Sequence, residues 1–263
     1  MASIFITGSA DGLGQLAARR LVALGHDVVL HGRSRHRAKQ ALRAVPGART
    51  ALEGDLASIE ATRALAKQAN EAGPFQSVIH NAGVYHRGPE RHETVDGLDE
   101  TFAVNALAPY LVTALVERPQ RLIYLSSGLH QGGDPDVHDL RGSARCWSGP
   151  QAYANSKLFD VVLAFAVARL LPHVLSNAVD PGWVPTKMGG PSAPDDPEQG
   201  AATQVWLAVS DEPGAKVTGR YFHHKRTQAA HRAASDFSVQ NAFLARCEEL
   251  TSVRLSPEVT SPE

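Results

Sequence analysis

Tyr153 and Lys157 stand four positions apart in QAYANSKL, residues 151–158, a stretch composed mostly of residues that suit a helix. Positions four apart share a helical face, so the lysine ammonium can approach the tyrosine phenol or a ligand bridging the two. A free phenol titrates at ~10, and an adjacent cation favours the phenolate, which predicts a lowered value and a proton donor usable near neutrality. The spacing alone is common on helix surfaces. Its neighbourhood gives it weight: LIYLSSG, residues 122–128, reads as a strand ending in Ser126 and Ser127, just before the loop that leads to Tyr153. A hydroxyl there could hydrogen-bond a substrate carbonyl; without the other features it would read as a satisfied turn serine.

A second set of residues suits a phosphate. In FITGSADGLGQLAARRLV, Gly8, Gly12 and Gly14 fall between an apolar strand and an amphipathic helix carrying Leu13, Leu16, Ala17, Leu21 and Leu24. Glycines let the backbone approach a pyrophosphate, and the free N–H groups of a helix start favour its charge. At the end of the second strand an acidic residue would hold a ribose 2′-hydroxyl, but the chain reads LHGRSRHR. Arg33, with Ser34 and Arg35 beside it, offers forked donors to a 2′-phosphate, which favours NADP(H) over NAD(H). A solvated basic helix start is the plainer reading, and it fits Arg37 and Lys39 better than Arg33.

The elements that must hold these groups alternate. SIFIT, DVVLH, RTALEGD, FQSVIH, RLIYLS, LSNAVD and VTGRYF read as strands, separated by helical segments over Leu13–Leu24, Arg35–Ala44, 58–72, 99–118, 151–171 and 197–209. Such a beat predicts an α/β fold, a parallel sheet covered on both faces, with ligands outside the carboxyl ends of the strands. A length of 263 residues fits one domain, with 43% hydrophobic and 20% charged residues and a net charge of −1. Nothing there seeks a polyanion, so nucleic acid is not expected as a partner. Cys146 and Cys247 match no metal-ligand spacing and suit free thiols in a reducing cytosol. Met1 runs almost directly into SIFIT, and no apolar run is long enough to span a bilayer, so a cytoplasmic protein is expected, without a membrane partner.

Taken in order along the chain, TGSADGLG, GDL at Asp55, NAG at 81–83, VNALAPYLVT around Asn105, LSS ending at Ser127, YANSK and DPGWVPT resemble the short-chain dehydrogenase/reductase family, from Ser3 to about Val253. The resemblance implies a Rossmann-type doubly wound sheet of about seven strands in the order 3-2-1-4-5-6-7. It implies a single NADP-binding domain over 1–251 with loop insertions at 128–150 and 183–200; the tail over 252–263, with two prolines and mixed charge, reads by itself as disordered. The resemblance further implies that Tyr153 is the general acid/base and that Lys157 lowers its pKa and binds the nicotinamide ribose. Ser127, rather than Ser126, would orient the carbonyl, and Asn105 would hold a water of the proton relay. Ser9, Asp11 and Leu13 belong to the cofactor-loop motif with the three glycines. Asp55 and Leu56 would contact adenine, Asn81, Ala82 and Gly83 would line the cofactor cleft, and the loop with Pro181, Gly182, Val184 and Thr186 would reach the nicotinamide. Hydride transfer from the B face follows from the same resemblance.

Ser127 and Tyr153 lie 26 positions apart, about twice the usual family separation. The excess resembles the retinol-dehydrogenase-like branch, as does GRYFHHKR followed by a C-terminal helix, though this chain has no hydrophobic anchor. The implied activity is NADP(H)-dependent interconversion of a ketone or aldehyde with an alcohol. The competing readings are a non-catalytic NADP(H)-sensing regulator, and an epimerase or dehydratase that retains its nicotinamide. A homodimer through the catalytic-helix faces is the family expectation, and a monomer fits this branch. Trp147 and Trp183 flank the cleft as apolar substrate walls or packing anchors. Twelve histidines, including His130, His138, His223 and His224, show no clean ligand spacing, so no metal is expected; His130 reads as a loop hydrogen bond.

Overall fold

Apolar residues on both sides of each strand decide the architecture. In the computed structural model, which describes residues 1–138, 140 and 147–257, β1 (Ser3–Ile6), β2 (Asp27–Gly32), β3 (Thr50–Glu53), β4 (Ser77–His80), β5 (Arg121–Leu125), β6 (Leu175–Asp180) and β7 (Arg220–His223) pair in parallel. Their order is β3-β2-β1-β4-β5-β6-β7. Successive strand side chains point to opposite faces, so Ile4, Ile6, Val28, Leu30, Ile79, Ile123, Leu125, Val179 and Phe222 enter one core. Phe5, Val29, Val78, Leu122, Tyr124, Ala178 and Tyr221 enter the other. A sheet greasy on both sides must be covered on both.

The first face takes α1 (Gly12–Ala23), α2 (Arg35–Ala44) and α7 (Pro197–Val209). The second takes α3 (Ile59–Ala72), α5 (Ala108–Leu115), α6 (Gly149–Leu170) and α8 (Phe237–Thr251). Side-chain caps begin several of these helices: Ser34 accepts from Arg37 N–H, Ser58 from Ala61, Asp196 from Glu198 and Asp236 from Ser238. Each such cap contributes about 1 kcal/mol. Before α5, the short helix α4 (Glu100–Phe102) runs into a π-helical turn at Ala103–Leu107, where Ala108 N–H reaches back to Ala103. Single π-turns inside helices recur at functional sites.

Two features depart from expectation. An eighth strand, β8 (Arg226–Gln228), pairs antiparallel with β7 at the sheet edge through a tight turn at His224 and Lys225, whose φ values are +47° and +63°. The tail is not disordered from Ser252: Val253 and Leu255 are buried in the second core, and Tyr110 Oη donates to Val253 O at 2.6 Å. Val253 and Leu255, alternating with exposed Ser252, Arg254 and Ser256, turn inward and pack the tail into the second core. Residues 258–263 lie outside the described residues, as do 139 and 141–146 of the 128–150 loop, with Cys146 among them. Cys247 is a buried free thiol. No described helix is long and apolar enough to cross a membrane.

Candidate active site

The carboxyl ends of β1, β4, β5 and β6 meet at one edge of the sheet, and the loops leaving them are stitched together by hydrogen bonds. Asn81, just after β4, donates from Nδ2 to Thr7 O at 3.1 Å and Gly8 O at 3.0 Å, and Thr7 Oγ1 accepts from the N–H of Asn81 and Ala82. Gly8 has a φ of +62°, in the region that favours glycine. A Cβ on Gly14 would collide with the Asn81 amide, so the first turn of α1 can sit this close to the NAG segment only as glycine.

Beneath this loop is His31, a histidine within the apolar strand β2. Its Nδ1 accepts from Gly8 N–H at 3.0 Å and its Nε2 lies 2.8 Å from Gly54 O, which requires the neutral ring with the proton on Nε2. Burial pushes His31 down to about 4, against the pull of the Gly54 carbonyl and Asp55. The unfolded chain takes up this proton near pH 6.5 and the folded chain resists until about 4. His31 therefore makes stability rise with pH between those values and leaves it flat above them. His80, pushed down to about 3 by burial, acts with the same sign. Asp160, pushed up to about 7 by burial, acts with the opposite sign over this range, so urea unfolding is expected to give a stability at pH 4.5 lower than at pH 7 by roughly 2 kcal/mol, with no comparable loss between pH 7 and 8. Equal midpoints at pH 4.5 and 7 would contradict the neutral assignment.

The expected cofactor residues take different parts. Ser9 is buried and turns inward, its Oγ donating to Ile6 O and accepting from His31 N–H, so its hydroxyl braces β1 against β2. Leu56 lies in the core, while Asp55 is exposed and accepts from Ala57 N–H. Arg33 follows β2 directly and is exposed; Ser34 beside it is spent on the α2 cap. Arg37 is not simply solvated: it pairs with Asp11 at 2.7 Å, and Lys187 reaches the same carboxylate at 2.8 Å. Partial burial works against ionising Asp11, but Lys187 and Arg37 outweigh it and hold the carboxyl below its usual range. These pairs tie the glycine loop to α2 and to the loop after β6. In that loop Pro181 and Gly182 leave the strand, Val184 packs inward, and Thr186 comes against Gly12.

At the start of α6, Tyr153 is buried. Its ring stacks on Tyr85 at 4.4 Å, and its Oη lies 3.7 Å from Met188 Sδ. Lys157, one turn on, is buried with Nζ at 2.7 Å from Leu125 O, at 2.8 Å from Asp160 Oδ2 and 5.8 Å from the Tyr153 ring centre. The expected lowering of Tyr153 is corrected in sign. Burial is the largest influence and pushes the phenol up; Lys157 and a hydrogen bond to Ser127 pull it down, Asp160 and Asp180 push it further up, and the phenol ends raised.

The two serines separate cleanly. Ser126 is buried and donates to the Lys157 carbonyl at 2.7 Å, whereas Ser127 is half-buried, accepts from Leu129 N–H at 3.2 Å and faces the phenol. Asn105 sits in the π-turn with both amide hydrogens used: Oδ1 accepts from Val84 N–H, and Nδ2 donates to Val84 O and Ser156 Oγ. Gly83 lies between Asn105 and Lys157. His130 is a loop hydrogen bond, with Nδ1 on Ser127 O and Nε2 accepting from His231 N–H. Trp147 donates to Asp99 as an anchor, while Trp183 is 54% exposed at the cleft. Tyr85, Arg87, Met188, His31 and Asp160 belong to no motif that would flag them. Arg87 lies over the Tyr85 ring and donates to Met188 O, closing two loops over the phenol.

The profile of the short chain dehydrogenase family matches residues 2–126. An uncharacterized oxidoreductase of Emericella nidulans is 42% identical over 257 residues, spanning 96% of this chain and 98% of that protein. The chain belongs to the short-chain dehydrogenase family. Retinol dehydrogenase 14 of Mus musculus is 30% identical across 90% of this chain and 82% of its own. Among solved structures, a blue fluorescent protein from a metagenomic library in complex with NADPH superposes with a TM-score of 0.69 at 25% identity, over 84% of this chain and 95% of that one.

A nicotinamide dinucleotide suits the residues present in this short-chain dehydrogenase. The Gly14 approach leaves room for a pyrophosphate against backbone, Arg33 is exposed at the end of β2, and two of the three Lys157 N–H groups are bonded among the described residues, leaving one for a ligand. A metal is less well served. His86, His92 and Glu100 bring ligand atoms within 4.8 Å of one another, but the imidazoles stack at 3.8 Å and 20°, so their in-plane lone pairs run side by side and do not converge.

Proposed function

We propose that this short-chain dehydrogenase interconverts an apolar ketone or aldehyde and the corresponding alcohol with NADP(H). The observation that carries the reading is the meeting of Tyr153, Ser127 and Lys157 beside the glycine loop, a set a mere nucleotide sensor would not need. Bound NADPH would supply the hydride. The chain's own residues handle the proton and the geometry: Ser127 Oγ donates to the carbonyl oxygen, and Tyr153 Oη delivers its proton to the same oxygen as negative charge develops there. Lys157 holds the ribose with its remaining N–H and steadies the phenolate left behind. Oxidation runs the same route in reverse.

An apolar substrate is supported by two exposed apolar side chains on the loops after β5 and β6: Leu129, 53% exposed, and Trp183, 54% exposed, whose Nε1 donates to the carbonyl of Gly189, next to Met188. Leu129 follows β5 and Trp183 follows the adjacent β6, so both flank the carbonyl site. A monomer is the assembly this supports. The expected dimer face on α6 is occupied by the chain itself: Phe159 stacks on Phe243 of α8 at 4.8 Å, and the second core includes Val253 and Leu255.

Loss of NADPH absorbance with a panel of apolar ketones and aldehydes tests the activity; tight NADPH binding with no consumption across the panel would favour a sensor. Cofactor choice is tested separately. Arg33→Asp is expected to weaken NADPH binding about tenfold or more, the loss of charge-assisted bonds to the 2′-phosphate, with NADH binding not weakened. Unchanged NADPH affinity would remove Arg33 from the site.

A further inference from the structure

We propose that Asp160 is a positioning residue that fixes Lys157 by a buried ion pair and, by offsetting its charge, governs how strongly the ammonium acts on Tyr153. The inference rests on the proton-donor reading of Tyr153 given above. Asp160 is the single charged residue in LFDVVLAFAVA, residues 158–168, a run otherwise apolar throughout. It is 1% exposed, its neighbours Phe159 and Val161 belong to the core, and its Oδ2 lies 2.8 Å from Lys157 Nζ. Burying such a pair costs more desolvation than an apolar residue of that size would, so packing does not account for a carboxylate here.

Among the described residues, Lys157 is its charged counterpart. On β5 the carbonyl of Leu125 accepts a second Lys157 N–H, and Tyr124 presents a buried phenol bonded to Thr113 of α5. His80 of β4 stacks on Tyr124 and is neutral, pushed down by burial. On α6 itself the facing groups are Lys157 and Tyr153, and Asp180 at the end of β6 also acts on Tyr153. Two N–H groups of Lys157 are thus anchored, which aims the third toward the cleft at Gly83.

Charge follows from this placement. Burial pushes Asp160 up to about 7 although Lys157 pulls it down, while the carboxylate in turn holds Lys157 in its charged form. Below neutrality Asp160 carries a proton and the ammonium acts on the phenol undiminished. Above it the carboxylate offsets the ammonium, and Tyr153 keeps its proton more firmly. Carbonyl reduction starts from the protonated phenol and alcohol oxidation from the phenolate, so the pair delays the oxidative direction to higher pH.

Asp160→Asn keeps the size and an oxygen that can accept from Lys157, and removes only the charge. Two readouts are compared with the unaltered protein: the pH profile of kcat/KM for alcohol oxidation with NADP, and the tyrosinate absorbance of cofactor-free protein after subtraction of Tyr153→Phe. Both are expected to move to lower pH by about one unit or more. Unmoved profiles in a folded variant would overturn the proposal, since a purely structural role predicts no shift. Should the variant not fold, the unaltered protein decides: with 13Cζ-labelled tyrosine, the Tyr153 resonance is expected to show a small step as Asp160 ionises, above the ordinary carboxylate range and below the titration of the phenol itself, and its absence would overturn the proposal. The absorbance and resonance measurements need no substrate, so they fail or succeed independently of whether any carbonyl compound is turned over.

Discussion

Tyr153→Phe is expected to lower kcat for NADPH-dependent carbonyl reduction by about three orders of magnitude while NADPH binding is retained. The substitution removes one oxygen and nothing else. The ring stays buried against Tyr85 at 4.4 Å, and the deleted oxygen gives up its hydrogen bond to Ser127 and its long approach to Met188 Sδ at 3.7 Å, the latter too weak to hold the loops in place. Lys157 keeps both of its anchors, Leu125 O and Asp160, so the ribose donor remains where it was. What disappears is the proton donor at the carbonyl oxygen, and with a phenylalanine the alkoxide would have to be quenched by water. Steady-state kinetics with the best substrate of the panel, alongside a fluorescence titration of NADPH, separate the two effects. Turnover within tenfold of the unaltered protein would remove Tyr153 from the proton's path.

Lys157→Met is expected to abolish turnover and, unlike the tyrosine change, to destabilise the fold. Methionine fills much of the lysine stem, but Asp160 is left buried with no cation at 2.8 Å. Breaking a buried pair from one side costs about 3–5 kcal/mol. The loss carries a pH signature. Without Lys157 the folded-state value of Asp160 rises further above that of the unfolded chain, because the group pulling it down is gone. A carboxyl raised in the folded state favours folding at low pH, and each pH unit between the unfolded and folded values removes about 1.4 kcal/mol. The gap between variant and unaltered protein should therefore be constant below neutrality and wider by about 1.4 kcal/mol at pH 8 than at pH 5, as read from urea midpoints of both at each pH. A gap constant with pH would mean that Asp160 is not ionised beside Lys157.

Much of this is legible in the chain because local patterning and global fold agree. The parallel sheet follows from seven short apolar runs, and the pairing of Tyr153 with Lys157 follows from helical spacing. Ser127 over Ser126 rests on resemblance alone in the sequence, yet geometry gives a reason: the Ser126 hydroxyl is occupied by the Lys157 carbonyl. What stays hidden depends on long-range contacts. The Tyr153 phenol is raised because Tyr85 and Met188, 68 and 35 positions away, enclose it, and no spacing rule reports burial by distant loops. His31 looks like a polar interruption in a strand until Gly8 and Gly54 are brought to its two nitrogens. Strand β8 escapes a reading by pattern because His224 and Lys225 take positive φ at a turn where glycine or asparagine would have announced it. Asp160 belongs to no motif, and only its distance to Lys157 makes it chemical.

Reduction of the best carbonyl substrate with NADPH carrying deuterium on the B face of nicotinamide C4 tests the hydride-and-proton reading most directly. Mass spectrometry of the alcohol is expected to find the deuterium on the carbinol carbon, with label incorporation lost along with turnover in Tyr153→Phe. An alcohol formed without deuterium, or labelled product made as fast by the phenylalanine variant, would contradict it.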